Sequence, residues 1–368
     1  MKEMKIAFIM TKLGGPGWGG AHKVTVLIAN YLSMKQHDVT IVISEDSAQD
    51  FPVNSSIKIV NITNTYKKNK LRFLNLFSKL YYFRKYCAEN KIDIVVGLTS
   101  NMAVYSVFSC IFSSRKSLIS ERTDPHFEPS KAILRFFRNC IYMLADRVVF
   151  QTPGARDYYP KSVRNRSVII PNPINSNLPE PFEGNRELRV VNFCRIAKQK
   201  NIKVLLDAFE IFHKNNHLYR LEIYGDTKDP AYKNYLEEYV NTLSSKNSIS
   251  FMGACTNIHD KVLSAKMFVS SSDYEGLSNS MLEAMSIGLP VIVTDCINGG
   301  ERMCIENYVN GIIVPTKDAC ATALAMEEIA SSPVLECKLS TNSRKIRTEL
   351  SEDNILSKWL KLICEMHE

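Results

Sequence analysis

Two glutamates eight positions apart, Glu275 and Glu283, are the residues of this chain whose types and spacing point most directly to chemistry. Ser280 and Glu283 have the spacing of a capping box, which predicts a helix that begins near residues 278–280 and holds Glu283 in its first turn. Free backbone N–H groups at a helix start favour phosphate, whereas carboxylates favour neutral hydroxyl groups. Phosphate flanked by hydroxyl groups describes a sugar joined to a nucleoside diphosphate. The pattern therefore indicates a nucleotide-sugar site.

Taken alone, such a pair is more often a loop carboxylate and a helix cap, because short patterns recur by chance. The surrounding order of strand, loop, helix, Gly-Leu-Pro and strand reverses that judgement. With this context, residues 274–295 resemble the donor site of the retaining glycosyltransferases of family 4, which carry Glu-x7-Glu in the same setting. The resemblance implies that Glu275 contacts the transferred sugar and Glu283 the ribose of the nucleotide. The further donor-binding positions it implies are Gly276, Leu277, Ser278 and Asn279.

Arg195 and Lys200 follow the first predicted strand of the second half of the chain. Members of the family have Gly-Arg-Leu at this strand end and a lysine five positions after the arginine. This sequence keeps the Arg–Lys spacing, but Cys194 replaces the glycine. Two cations stabilise a diphosphate leaving group without a metal, so no metal site and no cofactor are predicted. An isolated pair of this kind would more often be solvated surface charge.

The glycine-rich segment 14–20 joins a predicted strand to a predicted helix. Glycines there allow a ligand's phosphate to approach the helix start. The segment has neither the Lys-Ser/Thr of a Walker loop nor the spacing of a dinucleotide-binding motif. It resembles the Gly-Gly-Ala-Glu loop of the family, with His22 where glutamate is frequent. We therefore expect Gly19 and Gly20 to contact the donor, whereas residues 14–17 are equally well explained as a flexible loop.

Three polar residues lie at or just after the end of another predicted strand of the first half: Glu121, Asp124 and His126. Many family members have a histidine or an aspartate near this position, where it contacts the sugar or accepts a proton. Glu121 is the first candidate for a catalytic role and Asp124 the second, with a helix cap as the alternative for Asp124. In the second half, Gly225 and Gly253 end two strands, and the backbone there is expected to contact the nucleobase without revealing which base.

Apolar runs alternate with helical patterns along nearly the whole chain, which is typical of parallel sheets covered by helices on both faces. Predicted strands of the first half span 4–10, 38–44, 57–62, 93–98, 116–121 and 147–151, and its helices 21–34, 69–90, 101–113 and 131–145. Predicted strands of the second half span 188–194, 220–225, 249–253, 267–271, 290–294 and 311–315, and its last helices 318–331, 336–350 and 352–366.

The fold class is therefore α/β. Together with the resemblance, the pattern predicts the GT-B fold, in which two Rossmann-like, doubly wound domains face each other across a cleft. The predicted segments are an acceptor-side domain at 1–174, a linker at 175–187, a donor domain at 188–350 and a last helix at 351–368. The composition of the linker, rich in Pro, Asn, Glu and Gly, marks the boundary. In this fold the last helix, here around Trp359, commonly returns to the first domain.

Composition limits the class of protein. The chain has 368 residues, which favours two domains, and ten cysteines without CxxC spacing, which indicates reduced thiols rather than zinc or disulfides. No signal peptide precedes the first predicted strand, so a cytoplasmic location is expected. Residues 1–170 carry a net charge of +13 and the remainder −5. This asymmetry suggests that the first half meets a polyanion or an anionic membrane.

Residues 66–85 interleave basic and aromatic side chains on a predicted helix, and residues 131–138 repeat that mixture. Such a segment suits the anionic inner-membrane surface, to which we expect the protein to attach peripherally. The same mixture could equally suggest a nucleic-acid surface, although no nucleic-acid partner is expected. A core helix with a solvated basic face is equally compatible with the pattern.

The sequence thus predicts a retaining glycosyltransferase that moves a hexose or N-acetylhexosamine from a nucleotide sugar, most simply UDP-linked. The acceptor would be a saccharide or a polyprenyl-linked oligosaccharide in cell-surface glycan synthesis. One rival is a non-catalytic sugar-binding or nucleic-acid-binding protein on the same fold. Others are a nucleotide-sugar epimerase and an inverting transferase. The sequence identifies neither the sugar, the base, the acceptor nor the linkage.

Overall fold

A computed structural model describes residues 3–14, 20–47, 49, 51–63 and 72–368. The chain divides into two compact units. The first contains Met1–Pro173 and Asp353–Glu368, and the second contains Ile174–Glu352. Each unit is an α/β structure around one parallel sheet, so the predicted fold class is confirmed.

The first unit contains a seven-stranded sheet in its described part. Its strands are β1 Lys5–Met10, β2 Asp38–Ile43, β3 Lys58–Asn61, β4 Ile94–Gly97, β5 Lys116–Glu121, β6 Arg147–Phe150 and β7 Ser167–Ile169. Its helices are α1 Gly20–Met34, α2 Arg72–Glu89, α3 Ser100–Cys110, α4 Ala132–Leu144, α5 Pro153–Asp157 and α6 Lys161–Arg164. The spatial order is β3-β2-β1-β4-β5-β6-β7, and all neighbours are parallel.

The second unit contains a six-stranded parallel sheet in the order β10-β9-β8-β11-β12-β13. These strands are β8 Glu187–Phe193, β9 Arg220–Tyr224, β10 Ile249–Gly253, β11 Ala265–Ser270, β12 Val291–Thr294 and β13 Ile312–Val314. The helices are α7 Ile202–His213, α8 Pro230–Asn241, α9 Ile258–Val262, α10 Asn279–Ser286, α11 Gly300–Cys304, α12 Ala319–Ser331, α13 Pro333–Ser343 and α14 Ile346–Glu349.

Continuous apolar strands explain both sheets, because parallel strands are covered by helices on both faces. In β1 every residue after Lys5 is buried, and β4 is buried throughout. In the second unit β12 is likewise buried throughout, and the core joins its strands to α7 and α12. Because the strands themselves are buried and apolar, the polar side chains lie in the loops that follow their carboxyl ends.

Two local predictions were incomplete. The strand β7 was not predicted; it adds three residues to the edge of the first sheet beside β6. The single helix predicted at 336–350 is wrong, because the structure has two helices, α13 and α14, in this region. Ser332 caps α13 through an Oγ that accepts from Leu335 N at 3.2 Å, and Pro333 occupies the first turn, so the helix begins before residue 336.

The last helix, α15 Glu352–His367, belongs to the first unit from Asp353 onward. Its Trp359 is fully buried, and the Arg122 guanidinium lies 5.5 Å from the centre of the Trp359 ring. Burial lowers the pKa of Arg122 to about 9. The contact attaches the end of the chain to the carboxyl end of β5.

None of the helices in the described ranges combines the length and the apolar character that crossing a bilayer would require.

Candidate active site

Arg195 and Lys200 both lie just beyond the carboxyl end of β8. Arg195 is exposed, and its Nη2 lies 3.5 Å from Gln199 Oε1, to which it donates. A short 3-10 helix covers Lys198–Lys200, and the next residue, Asn201, has the left-handed φ of 42°. This tight turn holds both cations at one end of the sheet.

Glu275 lies in the loop between β11 and α10, next to these cations, because β11 pairs with β8. It is only 7% exposed. Lys200 Nζ forms an ion pair with Glu275 Oε1, and Ser272 Oγ donates to the same oxygen at 2.6 Å. Gln199 Nε2 donates to the other oxygen at 3.3 Å. The structure therefore brings Arg195, Lys200 and Glu275 together at the ends of two neighbouring strands.

The Lys200–Glu275 pair fixes the protonation of the lysine. Burial by itself would lower the pKa of Lys200, but the adjacent Glu275 carboxylate outweighs it and holds that pKa above its usual value. A fully charged ammonium group directly beside a carboxylate can contact two different groups of one ligand. The ammonium suits an anionic oxygen, and the carboxylate suits a hydroxyl group.

Helix α10 starts where expected, but its cap is different. Ser278 is the N-cap and its hydroxyl accepts from Met281 N at 3.4 Å, so the capping box predicted from Ser280 and Glu283 is wrong. Glu283 is the fifth residue of α10 and therefore lies in its second turn rather than its first. Leu277 and Ser278 are buried, Gly276 is half-buried, and Asn279 is exposed at the start of the helix.

Glu283 contacts a histidine, His259, that the sequence analysis did not predict as part of the site. His259 Nε2, on α9, lies 3.1 Å from Glu283 Oε2, and the His259 ring contacts Phe193 edge to face. The Glu283 side chain keeps 31% of its surface exposed. A ligand can thus reach the carboxylate while the imidazole orients it.

Gly225 and Gly253 complete the same edge of the sheet. Gly225 N donates to Gly253 O at 2.9 Å, which joins the ends of β9 and β10. Gly225 has φ of 140°, and a Cβ there would lie 1.8 Å from Cys194 O. Only glycine fits, because the backbone after β8 passes directly over this position. Around Gly253 a Cβ would meet nothing within 4 Å, so open space adjoins that backbone.

Glu121, the first catalytic candidate of the first unit, is 1% exposed and enclosed by protein groups. Tyr142 and Tyr159 donate to its Oε2 at 3.2 and 3.1 Å, and Arg138 Nη1 lies 3.7 Å from the same atom. Thr123 Oγ1 donates to Oε1 at 2.8 Å. Burial, then the Glu121 charge, raises the pKa of both tyrosines far above the ordinary value. This geometry favours a structural role over the predicted catalytic one.

The other predicted site residues of the first unit are Asp124, Gly19 and Gly20. Asp124 is buried and its Oδ1 accepts from His126 N at 2.9 Å and contacts His126 Nδ1 at 3.0 Å, which is a local turn of the loop. Its Oδ2 is buried without a hydrogen-bond partner in the part of the chain that the structure describes. Gly20 is the first residue of α1, whereas Gly19 lies outside the described residues.

Sequence reasoning missed several residues around Glu275. Ser272 and Gln199 bind its carboxylate, and Asn298 Nδ2 donates to its carbonyl oxygen at 2.9 Å. Close by, Glu301 is 2% exposed, and burial, followed by the Glu275 charge, raises its pKa to about 7. Only Gln199 had a sequence signal, its place between Arg195 and Lys200. Asn298 is separated from Glu275 by a helix and a strand.

Among the described residues no group of three or more His, Cys, Asp or Glu side chains has the arrangement of a metal site.

Comparison with known proteins places the chain among glycosyltransferases. The profile described as "Glycosyl transferases group 1" matches residues 177–346, and "Glycosyltransferase Family 4" matches residues 18–178. An amylovoran biosynthesis glycosyltransferase from Erwinia amylovora is 23% identical over 348 residues, which cover 93% of this chain and 95% of that protein.

Solved structures share the fold of the whole chain. Sucrose-phosphate synthase from Thermosynechococcus elongatus aligns with a TM-score of 0.84 at 19% identity and covers 99% of both chains. Anabaena HepE, solved in complex with UDP and glucose, aligns with a TM-score of 0.80 at 16% identity and covers 98% of this chain and all of that chain (100%). At these identities the similarity establishes the fold.

Proposed function

We propose that this chain moves a hexose or N-acetylhexosamine from a nucleotide sugar to a hydroxyl group with retention of configuration. The chain is of the glycosyltransferase group 1 and family 4 type. The observation that carries the proposal is the cluster of Arg195, Lys200 and Glu275 at the carboxyl ends of two neighbouring strands. Glu283 lies on the helix that follows Glu275.

Direct contact between Lys200 and Glu275 supports their division of roles. A nucleotide sugar carries its hydroxyl groups and its diphosphate on opposite sides of one glycosidic oxygen. An ammonium and a carboxylate that touch each other can therefore bind the two sides at the same time. Lys200 and Arg195 would stabilise the departing diphosphate, and Glu275 would bind a sugar hydroxyl.

The proposed reaction proceeds on one face of the sugar. The acceptor oxygen forms a bond to the anomeric carbon as the bond from that carbon to the diphosphate oxygen breaks. The acceptor's proton passes to the departing phosphate oxygen, which takes the bonding electron pair. Arg195 and Lys200 would stabilise the charge that develops there, so the proposal needs no metal, and activity should survive EDTA.

The remaining donor contacts are proposed from position. Glu283 would accept hydrogen bonds from the ribose hydroxyl groups, held in place by His259. Backbone groups at Gly225 and Gly253 would contact the nucleobase, and the start of α10 at Ser278 and Asn279 would approach the phosphates. Gly19 and Gly20 remain predicted donor contacts of the first unit.

Relatives support the choice of substrates. A UDP-linked donor is proposed because Anabaena HepE was solved with UDP and glucose. A saccharide or polyprenyl-linked acceptor in cell-surface polysaccharide synthesis is proposed because the Erwinia relative acts in amylovoran biosynthesis. An acceptor on a lipid would require peripheral attachment to the cytoplasmic face of an anionic membrane, which we include in the proposal.

The test is incubation of the full chain with a panel of nucleotide sugars and with saccharide and lipid-linked acceptors, followed by mass spectrometry and NMR of the anomeric proton. We expect one transferred sugar, linked with the configuration it had in the donor. An inverted product would refute retention. Conversion of the nucleotide sugar to its epimer without an acceptor would indicate an epimerase. Binding of the nucleotide sugar without any turnover would indicate a sugar-binding protein.

A further inference from the structure

Helix α4 of the first unit turns a large apolar surface to solvent. Four of its residues are about half exposed or more: Ile133 at 58%, Leu134 at 49%, Phe136 at 61% and Phe137 at 58%. Single exposed apolar residues are ordinary on a soluble protein, but four within five positions of one helix form a patch. A patch of this kind is typical of a surface that binds a partner.

The orientation of α4 is fixed by its opposite face. Arg138 and Tyr142 are buried there against Glu121, and Arg138 Nη2 donates to Pro125 O at 3.0 Å. Because these contacts are buried and charged, the helix cannot rotate to hide its phenylalanines without breaking them. The apolar face is therefore a stable feature of the folded unit.

The neighbouring helices expose apolar side chains as well. Helix α3 packs against both α2 and α4, so the three form one layer. The exposed apolar residues that α2 and the α3 region add are Leu76, Phe77, Tyr81, Phe108 and Phe112. Each of these helices runs back from the carboxyl end of a parallel strand, so the starts of α2 and α4 lie at the same edge of the sheet.

The charges beside this surface are basic. Between Pro129 and Ala145 the sequence has no acidic residue, and its basic residues outside the buried face are Lys131 and Arg135, since Arg138 is buried against Glu121. Lys131 is exposed at the start of α4, and Arg135 donates to Ser130 O at 2.8 Å. In α2 the only acidic residue is Glu89, the last of the helix. One exposed acidic residue, Glu128, precedes Lys131.

We propose that the surface formed by Ile133, Leu134, Phe136 and Phe137 of α4, called here the α4 face, inserts into the headgroup region of an anionic bilayer. Apolar and aromatic side chains would enter the boundary of the acyl chains while Lys131 contacts lipid phosphates. The inference rests on the membrane part of the proposed function and assigns it to a surface. It differs from the sequence prediction, which gave residues 66–85 the main role; residues 66–71 of that segment lie outside the described residues.

Flotation of the full chain with vesicles tests the proposal. One set contains phosphatidylcholine only, and the other an equal mixture of phosphatidylcholine and phosphatidylglycerol. We expect binding to the anionic set that weakens as salt is added. The double variant Phe136→Ser with Phe137→Ser should bind at least about tenfold more weakly, because it removes two apolar side chains that would be buried among the lipids.

A matched control comes from the second unit. Leu324 and Val334 are exposed by 61% and 81% on α12 and α13, so Leu324→Ser with Val334→Ser removes similar apolar surface. This control should bind vesicles like the unchanged protein. Equal loss in both double variants, or binding that ignores lipid charge, would overturn the proposal.

Two further measurements separate the alternatives. Far-UV circular dichroism should show that the α4 variant is folded, and Ile133→Ser with Leu134→Ser gives a second variant of the same face if it is not. Sedimentation should show a monomer whose mass does not depend on concentration, since self-association lost on substitution would assign the face to a second copy and refute the membrane. UDP binding should be unchanged in every variant, so failure to float and failure to bind UDP report separately on this inference and on the donor site.

Discussion

Glu121 and Glu275 both follow or end a strand of a parallel sheet, yet their surroundings differ. Two tyrosines, a threonine and the buried Arg138 enclose Glu121. Glu275 is paired with Lys200 and lies beside the exposed Arg195. The comparison shows that a position at a strand end makes a carboxylate a candidate site residue. Its hydrogen-bond and charge partners then decide whether it stabilises the fold or binds a ligand.

The largest effect should come from removing the enclosed carboxylate. Glu121→Ala would leave Arg138 as an unpaired buried charge and two tyrosine hydroxyl groups without an acceptor, at a cost of about 3–5 kcal/mol of stability. Urea unfolding of the full chain measures it. Glu275→Ala is the matched comparison and should cost less, because the Lys200 side chain that it leaves keeps 12% of its surface exposed, against 2% for Arg138. If both substitutions destabilise equally, the contrast between the two sites is wrong.

The cations beside Glu275 come next. Arg195→Ala or Lys200→Ala should lower kcat by about a hundredfold or more, as for the loss of one donor that stabilises transition-state charge. Lys203→Ala is the matched control, because Lys203 lies three residues on and is paired with Asp207 instead. Steady-state kinetics with the identified donor measures all three. Near-normal turnover in a variant would remove that residue from the mechanism.

Glu301, buried near Glu275, should give the protein a pH dependence. Its pKa of about 7 in the folded chain exceeds the ordinary 4.5, so the stabilising contribution is complete below pH 4.5 and is lost as pH rises towards 7. Relative to Glu301→Gln, the unchanged protein should therefore lose roughly 3 kcal/mol of unfolding free energy over that window. Urea titrations at several pH values measure it, and parallel curves for the two proteins would contradict the buried, protonated carboxyl group.

The smallest effects should separate the two glutamates of the donor motif. Glu283→Gln should weaken UDP binding about tenfold, because an amide accepts ribose hydroxyl groups less strongly than a carboxylate. Glu275→Gln should lower turnover while UDP still binds, since its proposed partner is the transferred sugar. Calorimetry with UDP and kinetics with the full donor distinguish them. Equal loss of UDP affinity in both variants would refute this division of roles even for an active transferase.

Local patterns and the resemblance to family 4 placed Arg195, Lys200 and Glu275 after the ends of two strands, and the structure has them after β8 and β11. Their roles stay predictions. Periodicity also gave most strands and helices within a few residues. The cap of α10 was misassigned because Ser278 and Ser280 are both plausible caps, and only the hydrogen bond to Met281 N distinguishes them.

The sequence by itself determined the elements and the charge that each half carries, because hydrophobic period and strand-end polar residues are local properties. Only the tertiary structure decided the partners. Tyr142 and Tyr159 reach Glu121 from 21 and 38 residues away, His259 reaches Glu283 from 24, and Asn298 reaches Glu275 from 23. Parallel strands joined by helices bring together residues that are distant in the chain. Whether a carboxylate is enclosed or accessible therefore depends on packing that no local pattern records.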